Sequence, residues 1–265
     1  MVEYEESGNL VTDKREIAAS ETWESQSDWE AYQSIDNVDI ENGIISLSSF
    51  QTSVTPDSAI YHFDATNLNL NDGDSVDVMP DETQTLGDAE GSGGVYHSDA
   101  INGQPAVKGN GEAEYVPPTL LEGQAKAFIV VFVHDNNPDA REQIIGSTWG
   151  PRFYLMQPSY GSETHQLGYG DDYLEHEDWA FTEPEVYAMW YDDGTAYGEL
   201  NQDESNRGSF SSSWYAGTNV HFFNHEEEDG YEGWIGEVII YNEPIGENGT
   251  LQDEYDRLES KWGEF

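Results

Sequence analysis

Residues 233–263 read GWIGEVIIYNEPIGENGTLQDEYDRLESKWG. Two periodicities follow one another in this run. Residues 233–241 are nearly continuously apolar and rich in β-branched and aromatic side chains, the pattern of a long strand. Leu251, Tyr255, Leu258 and Trp262 then recur at i, i+4, i+7 and i+11, which places them on one face of a helix. Thr250 and Asp253 are spaced as a capping box at its start, and Gly263 sits just past its end as a C′ residue.

Outward from this run the pattern stays β. Residues 127–133, AFIVVFV, form the strongest strand, apolar at successive positions and suited to burial on both faces. AIYHFDA (59–65), EQIIGS (142–147), RFYLMQ (152–157) and TNVHFFN (218–224) are further strands. GQPAVKGNGEAEYVP (103–117) gives two short strands around Gly109 to Gly111. EVYAMWYDDGTAYGEL (185–200) reads as a hairpin about Asp193-Gly194. Gly91, Gly93 and Gly94 mark a loop, 158–184 is loop-like, and Gly208 with Ser211 to Ser213 reads as a polar connection. Residues 1–55 differ. A polar, acidic stretch leads to Ser27 and Glu30, spaced as a capping box, and then to a hairpin signal at Asn42-Gly43 between Ile35, Val38, Ile40 and Ile44. Pro56 lies in linker chemistry, so the chain divides into 1–55 and 56–265. Many short strands, Gly-rich turns and one terminal helix predict an all-β sandwich.

The surface chemistry is extreme. Of 265 residues, 54 are Asp or Glu and only 9 are Lys or Arg, a formal net charge of −45. Disordered acidic chains lack aromatics, whereas this one holds 16 Tyr, 10 Phe and 8 Trp, so a folded protein is expected. No basic cluster exists to release counterions from a phosphate backbone, which excludes nucleic acid and anionic membranes as direct partners. Nothing approaches the apolar length of a membrane span, and no membrane insertion is expected. The absence of Cys excludes disulfides and thiolate metal sites. The first residues, MVEYEESGNLVTDKREIAAS, lack the pattern of a secretory signal. Scattered carboxylates with scarce Lys resemble proteins of extremely halophilic archaea or their viruses, in which salt screens self-repulsion.

The run at 233–263 resembles the closing strand and helix of LamG-like, concanavalin A-like jelly-roll domains, with Gly233, Ile235, Glu237, Tyr241, Ile245 and Lys261-Trp262-Gly263 at the matching positions. YHFDATNLNLNDGDSVDVMPDE (61–82) is similar to the opening strand of these domains, with Met79 where the pattern has Trp. INGQPAVKGNG (101–111) looks like their second element, with Lys108 in place of an apolar residue. The resemblance covers 59–263. It implies an antiparallel two-sheet jelly-roll β-sandwich of about a dozen strands with a C-terminal α-helix. It does not imply one function, since the fold hosts lectins, adhesins, glycosidases and structural modules.

No catalytic constellation stands out. The E-x-D-x-x-E strand motif of the glucanase relatives is missing, because Ile239 stands where the Asp would be. With about one residue in five a carboxylate, spacing alone nominates no acid pair. Some LamG-type domains bind Ca²⁺ at a loop rim, which makes Asp171, Asp172, Asp192 and Asp193 the candidate ligands. Hydrated surface acids are the favoured reading of all four. His221 and His225 lack the setting of a zinc site. Exposed aromatics stack on sugar C–H surfaces, so Trp149, Tyr173, Trp179 and Trp214 are the candidate glycan-binding residues. Trp190, Trp234 and Trp262 read instead as core.

The expectation from the sequence is a non-enzymatic surface protein of a haloarchaeal virus, probing the host in high salt as a turret, tail fibre or decoration. Residues 1–55 would attach to other virion proteins, the sandwich would bind host cell-surface glycans, and a symmetric homo-oligomer such as a trimer would present it. A cellular carbohydrate-binding module or adhesin is the second reading, and a glycosidase of the same fold the third.

Overall fold

The computed structural model describes residues 38–41, 44–47, 58–118, 124–134, 142–147, 153–157, 165–169, 172–176, 183–203, 207–211, 220–223, 229–246 and 250–265. The chain forms two compact units, 1–54 and 55–265. In the first, β1 (Val38–Glu41) and β2 (Ile44–Leu47) pair antiparallel with Glu41 opposite Ile44, the hairpin expected about Asn42-Gly43. The Ser27 and Glu30 pair lies outside the described residues.

The second unit is an antiparallel β-sandwich with one terminal helix. Its first layer runs β4 (Ser75–Met79), β5 (Ala89–Ile101), β7 (Glu114–Val116), β16 (Val220–Phe222), β9 (Glu142–Ser147), β10 (Phe153–Gln157), β11 (His165–Tyr169) and β12 (Asp172–His176). A two-residue strand, β17 (Asp229–Gly230), pairs parallel to β9. The second layer holds β3 (Ala59–Asp64) and β6 (Gln104–Lys108) end to end along one edge of β18 (Gly233–Tyr241), then on its other edge β8 (Ala127–His134), β13 (Glu185–Asp192), β14 (Thr195–Leu200) and β15 (Gly208–Ser211). The long β5 belongs to both layers, pairing β4 and β7 with its first half and β6 with its second. Across the layers Tyr61 meets Phe222 with ring centroids 5.4 Å apart.

Side-chain alternation sorts the second layer into two cores. Phe128, Val130 and Phe132 of β8 face the first layer, while Ala127, Ile129, Val131 and Val133 face the helix α1 (Thr250–Trp262). Every residue of β8 is buried, as its unbroken apolar run predicts. Leu251, Tyr255, Leu258 and Trp262 of α1 are all buried against that outer face. Burying each contributes ~1.5–3 kcal/mol, so the helix is a major part of the unit's stability. Gly263 ends it at φ +95°, its N–H donating to the Glu259 carbonyl at 2.9 Å.

Three stretches read as loops are strands. Gly91 and Gly94 lie inside β5 because a Cβ on Gly91 would stand 2.6 Å from the Tyr115 ring, and one on Gly94 would stand 2.8 Å from Val107. The glycines permit close packing rather than a turn. Likewise β11 and β12 fall within 158–184, and β15 begins at Gly208, where Leu174 of β12 leaves 2.8 Å for a Cβ. Polar strands at the end of a sheet lack the apolar run that marks a central one.

Candidate functional site

Two polar clusters interrupt the apolar packing. The first lies between β3, β18 and α1. Glu237, 1 % exposed, accepts from Trp262 Nε1 (2.9 Å) and Arg257 (2.6 Å) and lies 2.8 Å from His62 Nε2. Lys261 Nζ bridges Glu237 (3.0 Å) and Asp64. Arg257 also reaches Glu254 at 2.9 Å. Burial opposes ionisation of Glu237, yet the hydrogen bond from His62 and the charges of Arg257 and Lys261 win, holding its carboxyl well below the usual range. Burial dominates at Glu254 and Glu82, whose pKa values are raised. His62, Asp64 and Glu237 are close enough to share a metal ion. The Lys261 ammonium already supplies the cation between Asp64 and Glu237, so this cluster fastens the helix to the sheet.

The second cluster lies on the outer side of the first layer. Tyr115, Ile145, Leu155 and Phe222 belong to the main core. Strand alternation turns their neighbours Glu114, Val116, Gly146 and His221 the other way. Pairing strings one register row across this side: Val78 opposite Glu90, Glu90 opposite Val116, His221 opposite Gly146, then Tyr154, Gly168 and Tyr173. Between β9 and β10 the register slips by one residue, so that Leu155 faces Ile145 and Met156 faces Gln143. The bulge sends Ile144 and Ile145 both into the core and leaves Gln143 on the side of Gly146. Gln143 lays its amide over Gly146, where any Cβ would overlap it.

Burial deepens along this side. Val78 and Glu90 are exposed, Glu114 is half-buried, His221 is 5 % exposed, and Gln143 is 0 % exposed. His221 Nδ1 lies 2.6 Å from Glu114 Oε1, which fixes the imidazole. Neither Nε2 nor Oε1 of Gln143 has a hydrogen-bond partner among the described residues. This side of the layer thus carries a polar row that passes from exposed Glu90 through half-buried Glu114 to the buried His221 and Gln143. The other outer face of the sandwich is filled by α1 and by Trp190, which Gly246 and Tyr197 cover from two sides.

Of the residues nominated from the sequence, Trp149, Trp179, Trp214 and Asp171 lie outside the described residues. Tyr173 and Asp172 are placed in β12, and Tyr173 ends the register row that contains Gly146 and His221. Asp192 and exposed Asp193 sit at the β13–β14 hairpin, where Asp193 at φ 39° and Gly194 at φ 84° make the tight turn. Among the described residues, the group of three ligand-type side chains close enough to hold a metal is the one at His62. Trp190 and Trp262 are core, as read, and Trp234 is partly buried under Lys108 at 4.5 Å. Gln143 and Glu114 were missed, and His221 was weighed only as a metal ligand. The bulge that assembles them has no local sequence signal. Among the described residues no helix is long and apolar enough to cross a membrane.

No protein-family model and no curated protein matches the chain. Solved structures do. Domain 4 of AbnA, a GH43 extracellular arabinanase from Geobacillus stearothermophilus in complex with arabinotriose, aligns at TM-score 0.54 and 15% identity, over 74% of this chain and 97% of that one. Trypanosoma rangeli sialidase aligns at TM-score 0.58 and 11% identity over 78% of this chain, which spans 33% of the sialidase. A second structure of that sialidase aligns at 0.56 and 9% over 90% of this chain and 38% of its own. At these identities the likeness shows the fold, a β-sandwich.

Proposed function

We propose that the unit 55–265 is a non-catalytic glycan-binding module whose ligand sits along the polar row on the outer side of the first layer. One observation carries this reading. Of the two outer faces, one is closed by the terminal helix, and the other carries a polar row from exposed Glu90 through half-buried Glu114 to His221. The register row continues through Gly146, Tyr154 and Gly168 to Tyr173. Polar ground with aromatic positions in line with it suits a sugar. The arabinanase domain of the same fold, matched over 97% of its length, is described in complex with arabinotriose. In the setting expected from a charge of −45, the module works in molar salt. Presented on a virus particle through residues 1–55, it would meet host-surface glycans there.

The test is binding of the full chain, in about 3 M KCl, to a panel of immobilised polysaccharides. Saturable binding that weakens at least about tenfold in His221→Ala supports the reading. Absence of binding across the panel, or binding indifferent to His221→Ala, overturns it. Release of reducing sugar during the assay overturns its non-catalytic part.

A further inference from the structure

We infer that the chain carries a second sugar-binding site, a stacking platform made by Tyr197 on the outer face of the second layer. It shares its class of ligand with the reading above, but not its place. The helix α1 leaves the β14–β15 margin of that layer open: Arg207 and Ser209 are exposed and Tyr197 is half-buried. Pairing lays three rows side by side there. In the middle row Trp190 of β13 stands opposite Tyr197 of β14, and Tyr197 opposite Ser209 of β15. Asp192 opposite Thr195 makes the row on one side, and Glu199 with Arg207 the row on the other. Alternation keeps all three rows on the face that Trp190 shares with the helix.

The middle row presents a ring. Trp190 is 2 % exposed and is pressed by Gly246, where a Cβ would come within 2.2 Å of the indole. Tyr197 stacks on it with ring centroids 5.3 Å apart and planes 8° from parallel. Trp190 therefore takes one face of the Tyr197 ring, and the exposure that remains belongs to the other face and the rim. A tyrosine already held on a fixed indole loses little rotamer freedom when a ligand lies on it. Such a face suits the C–H side of a sugar ring. The hydroxyls of that sugar both donate and accept, and the flanking rows supply both kinds of partner. Asp192 and Thr195 bring acceptors on one side, and Arg207 brings donors on the other. Arg207 Nε donates to buried Glu199 at 2.5 Å, so the guanidinium is aimed and its charge is answered on the spot. An ion pair without net charge fits hydroxyls better than a carboxylate or sulfate. A quaternary ammonium is the other ligand that an aromatic face takes, and is the competitor in the test.

Titration calorimetry of the full chain in about 3 M KCl uses arabinotriose, xylotriose and cellotriose, and then tetramethylammonium chloride. Tyr197→Leu, Tyr197→Trp, Arg207→Lys and His221→Ala are compared with the parent, each after a circular dichroism melt. Tyr197→Leu is expected to lose at least about tenfold in affinity at one of two sites. Tyr197→Trp keeps a platform and should retain that site, Arg207→Lys should weaken it several-fold, and His221→Ala should leave it unchanged. A folded Tyr197→Leu that binds as the parent does overturns the inference; the reading above then stands if His221→Ala is still impaired. Should Tyr197→Leu not fold, an unweakened Arg207→Lys overturns it instead. Tyr197→Trp as impaired as Tyr197→Leu overturns it too, as does tetramethylammonium that displaces the sugar from Tyr197. Loss in Tyr197→Leu with His221→Ala binding as the parent supports this site and overturns the first. Binding of no sugar by the parent chain overturns both.

Discussion

Replacing Lys261 by Met tests whether the helix is fastened electrostatically. The two side chains have similar length, so packing is kept and only the ammonium is lost. Lys261 is 8 % exposed at its side chain, and its partners Asp64 and Glu237 are 3 % and 1 % exposed. Breaking a buried pair from one side costs about 3–5 kcal/mol, because a charge stays behind unpaired. Other donors soften the loss. Glu237 keeps Trp262 and Arg257 at 2.9 and 2.6 Å, and Asp64 keeps the Thr66 amide and hydroxyl at 2.9 and 2.7 Å. The lower end, about 3 kcal/mol, is therefore expected. For a unit of this size that lowers the melting temperature by roughly 6–12 °C. Thermal melts followed by circular dichroism in about 1 M and 4 M KCl measure it. A buried pair is little screened, so the drop should be the same in both salts. A drop under about 2 °C, or one that vanishes in the higher salt, would show that Lys261 is a solvated surface charge and refute the latch. Asp64→Asn in the Lys261→Met background should recover part of the loss, since it removes a charge left unpaired.

Further expectations follow from the same geometry. Trp262→Phe removes the 2.9 Å bond to Glu237 and the outer indole atoms packed on Gly236, costing at least about 1.5 kcal/mol by chemical denaturation in high salt; an unchanged midpoint would refute it. Stability should first rise as pH falls from 7 towards 4.5, the ordinary glutamate value, because protonation relieves Glu254 and Glu82, whose pKa values are raised in the fold by burial. Below 4.5 it should collapse, because Glu237 contributes stability above its unfolded pKa and loses it as pH passes through its depressed folded value. Melting temperatures falling steadily from pH 7 to 5 would contradict the first half. Gly146→Ala places a Cβ into the Gln143 amide, so it should cost about 1–3 kcal/mol; a variant with the parent's denaturation midpoint would refute it. Dialysis of the parent below roughly molar salt should unfold it, through unscreened repulsion; an unchanged melt would refute the halophilic reading.

The sequence by itself determined the elements whose cause is local. The apolar run of β8, the β13–β14 turn at Asp193-Gly194, the β18 strand and the helical spacing of Leu251, Tyr255, Leu258 and Trp262 are each written in neighbouring residues. Burial acts on such runs through the period of one strand or one helix, so a linear pattern suffices. The acidic surface was equally legible, since net charge needs no fold. Only the tertiary structure decided the sites. Glu237 stood in the sequence as one motif position among 54 acids; its partners His62, Arg257 and Lys261 come from two other elements, β3 and α1. The polar row needs Glu90, Glu114, Gln143, Gly146 and His221 in adjacent strands. It also needs a one-residue bulge that turns Gln143 outward. Register is set by pairing between distant segments and shifts every side chain to the other face when it slips by one. No single stretch of this chain contains that information.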